Sequence, residues 1–184
     1  MSEHIQLIVG LGNPGKEYAN TRHNVGVWWL QTLCSTHADN FQLQSKLNAQ
    51  VASLHFEGIR LRCALPTTYM NESGMALAKL CNYYEIPAED VLVIHDELAF
   101  MPGECRTKFS GGHNGHNGLR SIIAHIGNNF YRLRIGIGHP GHKDLVSDYV
   151  LSAPSKDEQL KIVAGIDHSM KALPSILKKV IHGI

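Results

Sequence analysis

Ile5-Gln6-Leu7-Ile8-Val9-Gly10-Leu11-Gly12-Asn13-Pro14-Gly15 is the stretch whose reading decides the fold class. Its apolar start, ending at Gly10, reads as a buried strand. The glycines behind it match G-x-G-x-x-G, and a strand in front is the context of a dinucleotide-binding loop. Three features oppose that reading. Pro14 has no N–H in a turn whose amides would have to face a pyrophosphate. Helical spacing resumes only near Val25, through Trp28, Trp29 and Leu33 to roughly His37, so the loop does not open into a helix. Trp28-Trp29-Leu30 stands where an acid for a ribose is expected. The stretch therefore begins an α/β sheet, and no nucleotide cofactor is expected.

The rest of the chain supports that sheet. Val51 to Phe56, Glu57-Gly58 and Ile59 to Leu65 read as a hairpin closed by a glycine turn. Asn71 or Ser73 is placed to cap a helix running through Met75, Leu77, Leu80 and Cys81 and stopping before Pro87. Val91 to Ile94 reads as a second buried strand and Cys105 to Phe109 as a third extended piece. A glycine-rich loop leads from there to a helix around Leu119 to Ile126, and Leu133 to Ile137 is a further strand. Ser155-Lys156-Asp157-Glu158 has capping-box form and opens a last helix expected to reach about Val180. Strands interleaved with helices, plus one hairpin, predict a mixed twisted β-sheet with helices on both faces. With no repeat or linker in sight, residues 1–184 read as a single domain.

Composition excludes several classes. Charged residues make up 18% and hydrophobic ones 43%, a globular balance. No apolar run is long enough for a bilayer span, and the acid in Met1-Ser2-Glu3-His4 stands where a signal peptide carries its bases. Cys34, Cys63, Cys81 and Cys105 are scattered without a CxxC pair, as expected for reduced thiols in a cytoplasmic protein. Net charge is only +1, yet the 39 residues from Cys105 to Lys143 contain no Asp or Glu. Arg106, Lys108, Arg120, Arg132, Arg134 and Lys143 all lie in that stretch, which reads either as a polyanion contact or as a solvated face.

Metal motifs are weak. His95-Asp96-Glu97 has the H-x-E form of zinc deaminases but no P-C-x-x-C follows. His113-x-x-His116 lies in a loose glycine-rich setting. What remains is a set of polar side chains beyond apolar strands: Asn13, Asn71, Asp96, and the loop Gly111 to Gly118. In an open α/β sheet such loops converge outside the carboxyl ends of the strands, and Thr21-Arg22-His23-Asn24 can reach the same place. One imidazole, one carboxylate and several carboxamides suit hydrolysis by activated water. Each also has a plainer reading. Asn13-Pro14-Gly15 makes a good turn, Asn71 and Asn117 suit helix caps, Asp96 suits a turn cap, and His23 suits simple packing.

The motifs themselves resemble those of the bacterial peptidyl-tRNA hydrolase family. The matching segments are Leu7 to Gly15 with Tyr18 and Thr21 to Asn24, Pro66-Thr67-Thr68-Tyr69-Met70-Asn71 with Ser73-Gly74, His95 to Leu98, Gly111 to Gly118, and Arg132 to Gly141. They cover most of the chain in the family's order. The resemblance implies a single-domain, metal-independent and cofactor-free ester hydrolase that releases the peptide from peptidyl-tRNA. It also implies a monomer with no membrane and no obligate protein partner. It makes His23 the general base, Asp96 its orienting partner, and Asn13 the discriminator of a blocked amino group. By the same analogy Asn71 and Asn117 hold peptide backbone and ester, Met70 packs the base, and His116 fixes Asn117. Tyr18 and Tyr69 meet the tRNA end, Tyr69 standing where the family often has Phe. Lys108 and Arg134, with Arg106 near, match its phosphate-holding patch. The loop between Asn129 and Phe130 is shorter than the family's, Ser110 replaces a frequent glycine, and the tail after Lys179 is brief. Two rival classes stand beside this one: a non-catalytic tRNA-binding module, and a metal-dependent amidase using His113 and His116.

Overall fold

The computed structural model describes residues 2–181; Met1 and residues 182–184, the end of the tail after Lys179, lie outside them. Seven strands form one sheet: β1 (Leu7–Gly10), β2 (Gln42–Gln44), β3 (Ala49–Phe56), β4 (Ile59–Pro66), β5 (Val91–Glu97), β6 (Cys105–Phe109) and β7 (Tyr131–Gly136). Their order is β2-β3-β4-β1-β5-β7-β6. The four central strands run parallel, and the pairs β2–β3, β3–β4 and β6–β7 are antiparallel. The two innermost parallel strands, β1 and the first four residues of β5, are apolar and buried throughout, because helices cover both of their faces.

The helices are α1 (Val25–His37), α2 (Ser73–Tyr84), α3 (Asn117–Ile126), α4 (Val146–Val150), α5 (Lys156–Ser169) and α6 (Leu173–Leu177). One core packs Trp29, Leu30 and Leu33 of α1, Ile162 and Ile166 of α5, and Leu173, Ile176 and Leu177 of α6 against the sheet. The other packs Leu77 and Leu80 of α2 and Leu119 and Ile122 of α3 on the opposite face. Mixed sheet and two covered faces agree with the sequence reading. The hairpin turn is also as expected: Glu57 and Gly58 have φ of 46° and 79°, the left-handed pair that a tight hairpin requires.

Several local expectations are corrected. Neither Asn71 nor Ser73 caps α2, whose N-cap is Glu72 without a side-chain bond; the Ser73 hydroxyl donates to Met70 O instead, at 2.7 Å. Asn117 is not a cap either. His116 caps α3, its Nδ1 accepting from the N–H groups of Gly118 and Leu119 at 3.1 and 3.2 Å. The capping box at Ser155 forms, but α5 stops at Ser169, and a 3-10 turn and α6, with Pro174 in its first turn, complete the segment. Asp96 does not follow a strand; β5 continues through it to Glu97. The short β2 and α4 carry too little periodicity to be seen in sequence.

The largest revision concerns the glycine-rich loop. Phe109 pairs with Tyr131, so β6 ends at the amino end of β7, away from the end where Asp96 pairs with Ile135. The loop therefore doubles back along the sheet to bring His116 to Asp96. Arg132, only 2% exposed, holds its start, donating to Gly111 O and Gly112 O at 2.6 Å each.

Candidate active site

Helix α1 begins unusually close to the sheet. A Cβ on Gly26 would lie 2.3 Å from Ile94 O, and one on Gly10 2.6 Å from Gly26 O, so only glycine permits the approach. The 3-10 turn Arg22–Asn24 that opens α1 is thereby set down on the end of β5. There His23 Nδ1 lies 2.9 Å from both carboxylate oxygens of Asp96. His23 is 8% exposed and Asp96 3%. Burial works against a charged His23 ring, but the charge and hydrogen bond of Asp96 outweigh it and raise its pKa above 6.5. Asp96 is buried too, yet the charge of a protonated His23 and the hydrogen bonds from both imidazoles hold its carboxyl well below the usual carboxylate range.

His116 supplies the second donor. Its Nδ1 is taken up by the cap of α3, so the proton sits on Nε2 and is donated to Asp96 Oδ1 at 2.8 Å. With Asp96 accepting from both rings, His23 carries its proton on Nδ1 and turns a free Nε2 lone pair outward. Next door, His95 donates from Nδ1 to Asp96 O at 2.8 Å, and burial pushes its pKa down to about 3. It stays a neutral packing group.

Among the described residues, His23, Asp96 and His116 are also the set that could hold a metal ion, their ligand atoms lying within 4.8 Å of one another. The hydrogen bonding disfavours it. A metal on His116 Nε2 would need the proton moved to Nδ1, opposite the two amides that Nδ1 now accepts from. The pair singled out by sequence spacing, His113 and His116, is not that set: His113 Nδ1 accepts from Gly115 N–H at 3.0 Å in a local turn.

Carboxamides are fixed around the pair. Asn13 Oδ1 accepts from Met70 N–H at 2.7 Å. Asn24 Oδ1 accepts from Asn13 N–H at 2.9 Å, and Asn24 Nδ2 donates to Asn13 O at 3.0 Å. With its oxygen occupied, Asn13 presents Nδ2–H groups as donors. Asn117 accepts from Arg120 at 3.4 Å, which likewise leaves its amide nitrogen to donate. Met70 thus acts through its backbone on Asn13, while its sulfur lies among Ser73 and Gly118.

His23, Asp96, His116 and the carboxamides of Asn13 and Asn117 face one cleft of about 1020 Å³. Of the residues expected from sequence, Asn13, Tyr18, His23, Tyr69, Met70, Asn71, Asp96, Lys108, His116, Asn117 and Arg134 line it. Arg106 does not; it lies over the Phe100 ring, 3.8 Å from Glu104. Tyr18 and Tyr69 meet edge to face, ring centres 6.3 Å apart. Sequence reasoning passed over the α4 side of the cleft, formed by Val146, Val150 and Leu151, counted Arg132 only within the basic stretch, and gave no separate role to Asn24, which braces Asn13. The alternation in Arg132-Leu133-Arg134 was a usable signal, since it puts both arginines on one face of β7.

That face is strongly cationic. Arg106 pairs across strands with Arg134, and Lys108 with Arg132. Like charges directly opposite are unfavourable. Burial, then Arg132 and Arg134, lower the Lys108 pKa, and burial, then Arg134, push Arg132 down to about 10. Glu97 is the acid that opposes this charge at Lys108, Arg132 and Arg134. A bound anion would relieve the repulsion.

A buried carboxylate holding an imidazole, with carboxamide donors on one side and clustered cations on the other, is equipment for water-dependent cleavage of an anionic substrate. Comparison with known proteins gives the class a family. The family model for peptidyl-tRNA hydrolase matches residues 7–183. A peptidyl-tRNA hydrolase of Coxiella burnetii is 48% identical over 179 residues, covering 97% of this chain and 94% of that protein. One from Methylobacillus flagellatus is 49% identical, covering 95% and 91%. A crystal structure of the Acinetobacter baumannii peptidyl-tRNA hydrolase superposes with a TM-score of 0.93 at 45% identity, covering 97% of this chain and 91% of that one. A peptidyl-tRNA hydrolase complexed with N-propanol gives 0.94 at 44%, covering 98% and 92%. The chain belongs to the peptidyl-tRNA hydrolase family.

Proposed function

We propose that the protein hydrolyses the ester between a peptide and the 3′ end of tRNA, with His23 as general base. The observation that carries the reading is the His23–Asp96 pair, with Nδ1 spent on the carboxylate and Nε2 free at the cleft. His23 Nε2 takes a proton from water, whose oxygen attacks the ester carbonyl carbon. Asp96 stabilises the imidazolium that forms. Carboxamide N–H groups of Asn71 and Asn117 stabilise the oxyanion. Collapse breaks the bond to the ribose oxygen, which takes the proton back from His23. The products are tRNA and a peptide acid.

Asn13 supplies the discrimination. Its oxygen is committed to Met70 N–H, so the substrate meets an Nδ2–H donor. A blocked amino acid offers an amide carbonyl to accept it, whereas a free ammonium offers another donor and stays poorly solvated. Lys108 and Arg134 hold tRNA phosphate, and Tyr18 and Tyr69 pack against the tRNA end. The reading takes residues 1–184 as one domain, acting as a single copy without an obligate protein partner. Its substrate arises in translation, which puts its work in the cytoplasm.

The test is cleavage of N-acetyl-aminoacyl-tRNA and of free aminoacyl-tRNA by purified protein with excess chelator. Rapid cleavage of the first and little of the second is expected, and Asn13→Ala should narrow the gap. Activity abolished by chelator would favour metal chemistry instead, and tRNA binding without cleavage would favour a binding module.

A further inference from the structure

Arg22 stands immediately before the proposed base and is only 7% exposed. Both terminal nitrogens of its guanidinium are spent on one distant segment, while Nε is buried without a hydrogen-bond partner among the described residues. Nη1 donates to Tyr149 O at 3.1 Å and to the Ser152 hydroxyl, and Nη2 donates to Glu158 Oε1 at 3.2 Å. The group lies over the Tyr149 ring, its central carbon 3.8 Å from the ring centre, and the Arg22 backbone N–H donates to Ser152 O at 3.0 Å. These partners are the end of α4, the turn after it and the start of α5. Val150 and Leu151, among them in sequence, line the cleft.

A five-residue helix such as α4 is not stable by itself. Arg22 ties down one of its terminal carbonyls, Tyr149 O, which also accepts from the Ser152 hydroxyl at 2.7 Å and N–H at 3.2 Å. Tyr149 carries the connection onward, its hydroxyl donating to Ile137 O at 2.7 Å beyond the end of β7. On the other side of His23, Asn24 is locked to Asn13 by two reciprocal bonds. His23 therefore sits between two anchors, one on each wall of the cleft.

We infer that Arg22 is a positioning residue for the hydrolysis, fixing the His23 turn to the α4 wall so that the imidazole is held in register with Asp96. This rests on the reading of His23 as the base. A stability role alone would not call for an arginine, because a buried ion pair is commonly no better than packed apolar side chains. What the guanidinium adds is direction: several acceptors on two elements, held by one planar group. A ring displaced by even about 1 Å from its working geometry can lose on the order of a hundredfold in rate.

The experiment compares wild type with Arg22→Gln, Arg22→Lys and Glu158→Gln on N-acetyl-aminoacyl-tRNA, with foldedness followed by circular dichroism. Per folded molecule, Arg22→Gln should lower kcat about tenfold or more while KM stays within about threefold. The polar groups that meet His23 are Asp96 from β5 and His116 from the head of α3. A ring that slips from Asp96 should therefore move the acid limb of the kcat profile to lower pH. Arg22→Lys keeps the charge but not the fork, and should fall between. Variants that melt earlier yet keep the kcat and acid limb of wild type would make Arg22 a brace and overturn the inference. If Arg22→Gln does not fold, Arg22→Lys and Glu158→Gln decide by the same readouts. His23→Ala is run alongside: if it stays active, the reading of the base fails; if it is inactive while the Arg22 variants match wild type, only this inference fails.

Discussion

Strand β5 has a buried aspartate at each end, and the two do different work. Asp90, just before the strand, is 0% exposed and accepts from Lys179 Nζ, from Gln6 Nε2 at 2.6 Å and from Ser2 N–H at 2.8 Å. Asp96, near the far end, is 3% exposed and accepts from His23 and His116. In both, burial opposes ionisation, and the partners nevertheless hold the carboxyl below its usual range. The difference is the cation. Lysine is not a side chain that exchanges its proton near neutrality, and with Ser2 and Lys179 both bonded to it Asp90 makes a clasp between segments near the two ends of the chain. His23 can gain and lose a proton near neutrality, so Asp96 makes a pair able to do chemistry. On the proposed reading of His23 as the base, the same buried carboxylate serves structure or chemistry according to what faces it.

The comparison is broken most severely at its functional end. His23→Ala should lower turnover about a hundredfold or more with the fold intact, read from single-turnover cleavage and circular dichroism. Turnover within threefold of wild type would remove His23 from the chemistry.

At the structural end, Asp90→Asn leaves the partly buried Lys179 without its carboxylate, with only Ser2 O still accepting from it, and should cost about 3 kcal/mol in denaturant unfolding. Its kcat per folded molecule should match wild type. If activity fell with stability unchanged, the division between the two ends would be wrong.

Acid and base limbs sharpen the contrast. The pKa of each aspartate is depressed, so the stabilisation it gives is present above the ordinary carboxylate value and lost as pH falls through the folded one. Acid unfolding should therefore begin below about pH 4, and Asp90→Asn should flatten it. His23, whose pKa is raised, must be neutral to act as a base, so activity should rise with pH through a midpoint above 6.5. Asp96→Asn removes the raising charge and should move that midpoint down while lowering kcat.

The smallest effect belongs to the cationic face beside Asp96. Neutralising Lys108 or Arg134 singly should reduce the slope of log affinity for tRNA against log salt by about one. An unchanged slope in both variants would put the phosphate contact elsewhere.

Much of this molecule could be read locally. The periodicity of Val25 to His37, the hairpin around Glu57-Gly58, the capping box at Ser155 and the limits of β6 are properties of neighbouring residues, and the fold has them as read. The family motifs likewise gathered His23, Asp96, Asn13 and Asn117, and one cleft holds them. The failures were of another kind. Asn71 and Asn117 have the chemistry of helix caps, but Glu72 and His116 hold those positions, because a cap depends on where the chain enters the helix.

What the sequence by itself determined is therefore the class of sheet, the order of its elements and the kinds of side chain at its functional end. These follow from hydrophobic period, turn residues and motif spacing, which act over a few residues. Tertiary structure alone decided that β6 is antiparallel and sends its glycine-rich loop back along the sheet, and that Arg132 holds that loop. It alone decided that His116 is locked as a donor to Asp96 and that Arg22 reaches the end of α4. Each of these is a contact between residues far apart in the chain. Its energy depends on burial and on hydrogen-bond direction, and neither is defined until the elements have packed.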